Sequence, residues 1–500
     1  MRHARAIAGT LLVGVIAFAG AWWVRERRAD AVPRHSRWAP DTAAATQDAR
    51  TLTGALRRIP APLPGQALPR VGEHPDVVVI VLDTVRADRL GLYGYDRATS
   101  PQLDAWSREA RVYERLRAPA PWTLPSHAAL FTGRISWETG ADGTPPGVKA
   151  LARPLAQGAD TLAGRLRAQG WRTVGIAANK AFLNGSWGLG QGFDAWVCQQ
   201  LPQDRWRLPY TSADRMAALA RQALKAPREQ PLFLFLNFMD AHAPYLAREG
   251  FVPDGVRVDT SVLPFTPRWA ELNERLLATG KLDPEVQRSW SEGYDAGLRF
   301  LDAHLGPLLA DLPSLGIGPE DHVILLSDHG EYLGEHGHLG HSQDVYEEVL
   351  HVPFVWRGPG VTPGRDPRAV QTQDVPTMLL TALGLPGFRE PLPLEVSELY
   401  WSRKRDLDNP VYGKRFARVR RAFARGSHKV IVGDDGSFEA YDLASDPDEA
   451  NDVSATGPWA APLRAEAEAL LATLPYAERG DEPEGAGANT EALRALGYVE

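Results

Sequence analysis

Residues 77–82 read Val-Val-Val-Ile-Val-Leu, an unbroken apolar run made largely of β-branched residues, and Asp83 follows at once. A strand with one wet face would alternate in polarity. A run that is apolar at every position predicts a parallel strand buried on both faces. Similar runs occupy residues 173–177, 232–237, 322–327 and 352–356. Helical patterns lie between them, at 102–110, 125–131, 161–169, 214–224 and 290–309. Strands alternating with helices predict an α/β fold with a doubly wound, mostly parallel sheet. Such sheets bind ligands beyond the carboxyl ends of their strands, and that rule selects the residues worth inspecting.

Beyond about residue 400 the pattern changes. Residues 411–423, 428–432 and 437–441 read as short strands, with Gly433-Asp434-Asp435-Gly436 as a hairpin turn. With a helix around 463–474 and a flexible stretch at 480–487, residues 401–500 predict a smaller antiparallel α+β subdomain and tail. The catalytic domain is expected over 76–400. Residues 29–75, rich in Ala, Pro and Arg and without a sustained period, read as a linker.

The N-terminus bears on location. Residues 6–24 carry no charge and are flanked by Arg2, Arg5 and Arg25-Glu26-Arg27-Arg28. A helix of that length spans about 30 Å, the thickness of a bilayer core. Residues 1–28 therefore fit a signal anchor, and Trp22 and Trp23 suit an interface belt. Ala17-Phe18-Ala19 also fits a cleavage site, although the Trp pair beside the Arg cluster favours an uncleaved anchor. In either case the rest of the chain is exported, membrane-anchored or released. With 55 basic and 62 acidic residues the formal charge is −7, which argues against a nucleic-acid partner. The single cysteine, Cys198, excludes an intramolecular disulfide and a multi-cysteine metal site.

Four features carry possible chemistry. Asp83 ends the first strand and Asp328-His329-Gly330-Glu331 ends the fourth, so two carboxylates and an imidazole should meet on one rim as a divalent-metal site. For Asp83 alone, a cap or turn role fits as well. Thr123 stands just ahead of a helix that Pro125 suits, where amides and the helix dipole favour an anion. A metal or base there would activate its hydroxyl; without one, Thr123 reads as an N-cap. His336, His338 and His341 sit on a glycine-rich loop and could hold an oxyanion or a second metal, or simply face solvent. His242 follows the strand at 232–237 as a general acid or a structural residue, and Asn179 and Lys180 follow the strand at 173–177, where Lys180 would offset substrate charge or remain a surface lysine.

In their order, these pieces resemble the sulfatase branch of the alkaline phosphatase superfamily. The resemblance runs through Leu82-Asp83-Thr84-Val85-Arg86-Ala87-Asp88, Thr123-Leu124-Pro125-Ser126-His127, Asn179, His242-Ala243-Pro244-Tyr245, Asp328-His329-Gly330-Glu331 with Gly334-Glu335-His336-Gly337, and the C-terminal Glu439-Ala440-Tyr441-Asp442-Leu443. It implies an alkaline phosphatase-like catalytic domain with a four-stranded C-terminal subdomain. It implies a metal held by Asp83, Asp328 and His329, with Thr123 as nucleophile and further ligand. Asn179, Lys180 and His336 are the expected substrate-binding residues. His242 and His341 match positions that bind substrate or a second metal.

Two departures shape the expected activity. Sulfatases of this kind carry Cys or Ser where Thr123 stands, with Arg where His127 stands, and convert the nucleophile to formylglycine. Threonine cannot give that aldehyde by the same oxidation, because its Cβ bears a methyl group. Thr123 and the twelve-residue spacing from His329 to His341 resemble the phosphoethanolamine transferases instead, and threonine as nucleophile is shared with the phosphoglycerol transferases. Thr84 replaces a metal-binding Asp of many sulfatases, and with His329 present the site suits Zn²⁺ or Mn²⁺ better than Ca²⁺. The expectation is a metal-dependent enzyme acting on an anionic phosphate or sulfate ester. A sulfuric ester hydrolase with an unmodified nucleophile, a lipid-headgroup phosphotransferase and a non-catalytic binder of anionic glycans are the alternatives.

Overall fold

The computed structural model describes residues 42–58 and 72–478, apart from 149, 199–209, 247, 261, 263–265 and 403. Its strands are β1 (Val77–Leu82), β2 (Arg111–Arg117), β3 (Arg172–Ala177), β4 (Ala195–Cys198), β5 (Leu232–Phe238), β6 (His322–Ser327), β7 (Tyr332–Leu333), β8 (Leu339–Gly340), β9 (His351–Arg357) and β10 (Gly364–Gln371). Eight of them form one sheet in the order β10-β2-β9-β6-β1-β5-β3-β4, and β7 and β8 make a separate hairpin. β1 pairs in parallel with β5 and β6, and β3 in parallel with β5 and β4. Only β9 runs against its neighbours β6 and β2. The expected mostly parallel α/β architecture is what the chain forms.

Every residue of β1, β5 and β6 is buried, which explains why their sequences are apolar throughout. Three strands of the sheet carry no marked run: β2 and β10, which are polar, and edge strand β4, which is apolar but only four residues long. β2 carries Arg111, Glu114, Arg115 and Arg117, and edge strand β10 carries Pro367 at a break in its register with β2.

Register decides what gathers at the rim. Leu82 is level with Ser327 on one side and Phe238 on the other, and Ala177 is level with Asn237. Asp83, Asp328, Asn179 and the turn leading to His242 therefore leave four adjacent parallel strands at one height.

The smaller sheet joins β11 (Glu395–Tyr400), β12 (Val419–Arg425), β13 (His428–Gly433) and β14 (Phe438–Asp442) in sequence order, all antiparallel. A helix, Ala460–Thr473, packs Leu463 and Ala467 against Val396, Phe423, Val430 and Ala440. Two expectations need correction here. The sheet begins at Glu395, before the expected boundary at 401, and residues 411–418 are not strand: Gly413–Phe416 is a short 3₁₀ turn and β12 starts at Val419.

The expected linker also contains an α-helix, Thr42–Arg57. It buries Leu52, pairs Asp48 with Arg215 and accepts a hydrogen bond from Gln222 at the carbonyl of Ala49 (3.0 Å). Its Ala- and Thr-rich sequence offers few large apolar residues, so its period was faint. Among the described residues no helix is long and apolar enough to cross a membrane. The candidate anchor or signal segment, residues 1–28, and the flexible stretch at 480–487 lie outside the described residues.

Candidate active site

The two acids and the imidazole meet as their strand ends predict. Asp83, Asp328 and His329 are buried, and their donor atoms lie within 4.8 Å of one another. Asp328 Oδ1 accepts from the amides of His329 (2.9 Å) and Thr84 (3.2 Å), while its Oδ2 has no hydrogen-bond partner. Asp83 Oδ2 accepts from Asn179 Nδ2 (2.9 Å) and Asn237 Nδ2 (3.4 Å), and its Oδ1 likewise has none. His329 Nδ1 donates to the Gly330 carbonyl (2.9 Å), which leaves Nε2 bare of a proton and able to accept, 3.5 Å from Asp328 Oδ2 and 3.9 Å from Asp83 Oδ1.

This donor set fits a divalent cation. One unpartnered oxygen from each acid and one bare ring nitrogen converge in a buried place, and the other atom of each group is already held, as ligating groups require. The electrostatics agree. Burial, with the Asp328 carboxylate beside it, pushes the Asp83 carboxyl up to about 7. Burial pushes Asp328 up to about 8 in spite of the amides on it, and burial lowers His329. Positive charge beside them would favour the ionised form of both carboxyls.

Thr123 opens the helix Thr123–Thr132, with Pro125 in the first turn and Gly133 closing it at φ 66°. Its hydroxyl is buried 3.4 Å from His329 Nε2 and accepts from Asn179 Nδ2 at 3.3 Å. Asn179 thus touches both Thr123 and Asp83, and its own Oδ1 is fixed by the amides of Ala181 and Phe182.

A second buried group lies beside the first. His242, Glu331 and His341 bring donor atoms within 4.8 Å of one another. His341 Nδ1 is 3.1 Å from Glu331 Oε1, and Tyr245 donates to Glu331 Oε2 at 2.8 Å. The ring of His341 lies 4.6 Å from that of His329 and 4.9 Å from that of His242, so the two groups adjoin.

Backbone and buried charge hold the rim in shape. Thr84, a β-branched residue, sits at φ 62°. It is fixed there by its hydroxyl on the Asp83 carbonyl (2.7 Å), its amide on Asp328 and its carbonyl under Tyr294 Oη (2.8 Å). Arg86 grips Asp88 with two nitrogens and reaches the Glu331 carbonyl (3.0 Å) and Glu335 (2.8 Å), tying the loop after β1 to the loop after β6.

The other two expected substrate-binding residues, Lys180 and His336, have charged or aromatic neighbours of their own. Lys180 is buried, and its charged surroundings are Arg215, Asp48 and Cys198; burial, with Arg215, pushes it down to about 8. His336 lies flat on Tyr346, with ring centroids 3.8 Å apart, and pairs with Glu348 at 3.4 Å. Asn237, Glu331 and Tyr245 were not singled out as site residues. Asn237 lies at a strand end, so the rim rule could have found it.

A family model described as Sulfatase matches residues 75–385, more than half of the chain, and the chain belongs to the sulfatase family. The ulvan-active sulfatase of Formosa agariphila is 24% identical over 357 residues, 65% of this chain and 64% of that protein, so the match spans just under two thirds of that relative's length. The iduronate 2-sulfatase of Homo sapiens is 23% identical over 344 residues, 57% of this chain and 60% of that one. Among solved structures, the phosphonate monoester hydrolase of Agrobacterium radiobacter shares the fold with a TM-score of 0.59 at 19% identity, covering 80% of this chain and 95% of that one.

Proposed function

We propose that the chain is a metal-dependent hydrolase or transferase of phosphoryl or sulfuryl esters acting through Thr123, with phosphoester chemistry favoured. The observation that carries this reading is the Thr123 hydroxyl, buried 3.4 Å from His329 Nε2 and held by Asn179 beside two acids with unpartnered oxygens. A divalent cation held by Asp83, Asp328 and His329, with Thr123 Oγ1 as a further donor, supplies the positive charge that acidifies this hydroxyl and screens an anionic ester; the mixed oxygen and nitrogen donors favour Zn²⁺ or Mn²⁺ over Ca²⁺.

Asn179 keeps Oγ1 and the Asp83 carboxylate in one orientation. Thr123 Oγ1 attacks phosphorus or sulfur opposite the leaving oxygen: one ester bond forms as the other breaks, and the hydroxyl proton passes to solvent. The helix N-terminus at Thr123 favours the equatorial oxygens. Glu331 orients His341 through Nδ1, so that Nε2 hands a proton to the leaving oxygen, with His242 alongside. Water or an acceptor alcohol then releases the covalent intermediate.

The methyl group on the Thr123 Cβ supports phosphoester chemistry over a formylglycine route. The names of the relatives favour a second reading, sulfate ester hydrolysis by the unmodified hydroxyl. Purified full-length chain assayed with p-nitrophenyl sulfate, p-nitrophenyl phosphate and bis(p-nitrophenyl) phosphate separates them. Faster turnover of a phosphoester is expected. Faster turnover of the sulfate supports the second reading, and no turnover of any ester supports a non-catalytic binder. The N-terminal segment supports an exported enzyme, anchored where that segment is retained.

A further inference from the structure

His127 lies four residues after Thr123, on the same face of the helix, and is wholly buried. Its Nδ1 is 2.9 Å from the Thr123 carbonyl and 3.5 Å from Asp328 Oδ2. Both are acceptors, so Nδ1 carries the proton. Its Nε2 is buried without a hydrogen-bond partner, and the ring stands edge-on to Phe131 (6.1 Å) and Phe235 (5.9 Å). The surroundings provide one use for this ring: a single donated hydrogen bond aimed between the residue that carries the hydroxyl and one of the acids that face it.

We infer that His127 is the positioning residue of Thr123, its ring held with a proton on Nδ1 so that one N–H anchors the Thr123 carbonyl beside Asp328 Oδ2. Two aromatic faces fix the ring, the ring fixes the first turn, and the first turn aims Oγ1 at the rim. The cap residue Trp122 gives no side-chain hydrogen bond to this helix start; Ser126 Oγ ties the turn outward to the Ala120 carbonyl (2.9 Å), and His127 restrains it at the Thr123 carbonyl itself. An error of about 1 Å in the place of a nucleophile costs on the order of 10²-fold in rate, which sets the scale of the expected effect.

This inference rests on Thr123 as nucleophile, and the test separates the two. Three variants are compared on whichever of the three p-nitrophenyl esters the full-length protein turns over fastest. His127→Leu fills the space without a donor, His127→Asn keeps an N–H at the Nδ1 position, and His127→Gln moves it one bond outward. Expected are a kcat for His127→Leu lower by about 10²-fold with KM within about threefold, a similar loss for His127→Gln, and recovery to within about tenfold by His127→Asn, with metal content unchanged in all three. A His127→Leu variant that is folded and turns over like the parent overturns the inference, and so does an Asn variant no better than Leu. Thr123→Ala is the control: if it is inert while His127→Leu is active, only the role of His127 falls; if it is active, the nucleophile falls and the positioning role with it. Should the variants fail to fold, imidazole ¹⁵N shifts of the parent protein decide. A ring protonated at Nδ1 is expected, and one protonated only at Nε2 overturns the assignment.

Discussion

Thr123 Oγ1 lies 3.4 Å from His329 Nε2, although 206 residues separate them in the chain. The helix start that carries the alcohol follows β2, and the register of β6 with β1, Ser327 level with Leu82, brings Asp328 beside Asp83 next to it. The account stands on that meeting of an alcohol with a bare ring nitrogen and two acids.

Removing the alcohol should abolish turnover without emptying the site. Thr123→Ala is expected to lower kcat by at least about 10³-fold, about 4 kcal/mol of barrier, while Thr123→Ser keeps much of it. Steady-state kinetics with metal content measured alongside would reveal the contrary case, near-normal turnover in a metal-replete Thr123→Ala protein.

Removing an acid should act on the metal first. Asp328→Asn replaces one unpartnered oxygen with an amide and is expected to weaken metal retention by about 10-fold or more, read by elemental analysis after dialysis. Chelation of the parent protein should lower its Tm, because the paired carboxylates of Asp83 and Asp328 then face each other without a cation, and adding the metal back should restore it. A metal content indifferent to Asp328→Asn would strike that residue from the ligands.

Gly330 is the point where backbone meets backbone. A Cβ there would sit 2.0 Å from the Glu348 carbonyl oxygen. Gly330→Ala should therefore displace the turn that carries Asp328 and His329, costing about 1–3 kcal/mol in urea unfolding and reducing kcat as well. Normal kinetics in this variant would mean the turn has slack that the contacts do not suggest.

Asp302 predicts a pH dependence away from the site. It is buried under the amides of Gln102 (3.0 Å) and Leu103 (2.8 Å), and burial pushes its carboxyl from 3.8 up to about 6. Between those values the folded state binds more proton than the unfolded one, so its contribution to stability falls as pH rises from about 4 to about 6. Asp302→Asn should flatten that part of a Tm–pH profile, and an unchanged slope would assign the titration to other groups.

The sequence made the centre of the fold legible and its margins less so. β1, β5 and β6 are buried on both faces and betray themselves by apolar runs, so the rim rule found Asp83, Asp328, Asn179 and His242 from one strand end each. β2 and β10 were missed because their polar residues face water or neighbouring charges. The ordered motifs single out Thr123 as a candidate, whose own surroundings in sequence are only those of a helix cap. Adjacency in sequence does not fix neighbours: Lys180 follows Asn179 but keeps company with Arg215 and Asp48. The part played by Glu331 is visible only once β7 and β8 fold His341 back beside it.

The most direct test is mass spectrometry of the peptide containing Thr123, quenched within the first turnovers of a phosphoester. The account predicts the added mass of one phosphoryl group localised to Thr123 and absent from Thr123→Ala. An unmodified Thr123 during active turnover, or the group on another side chain, would contradict it.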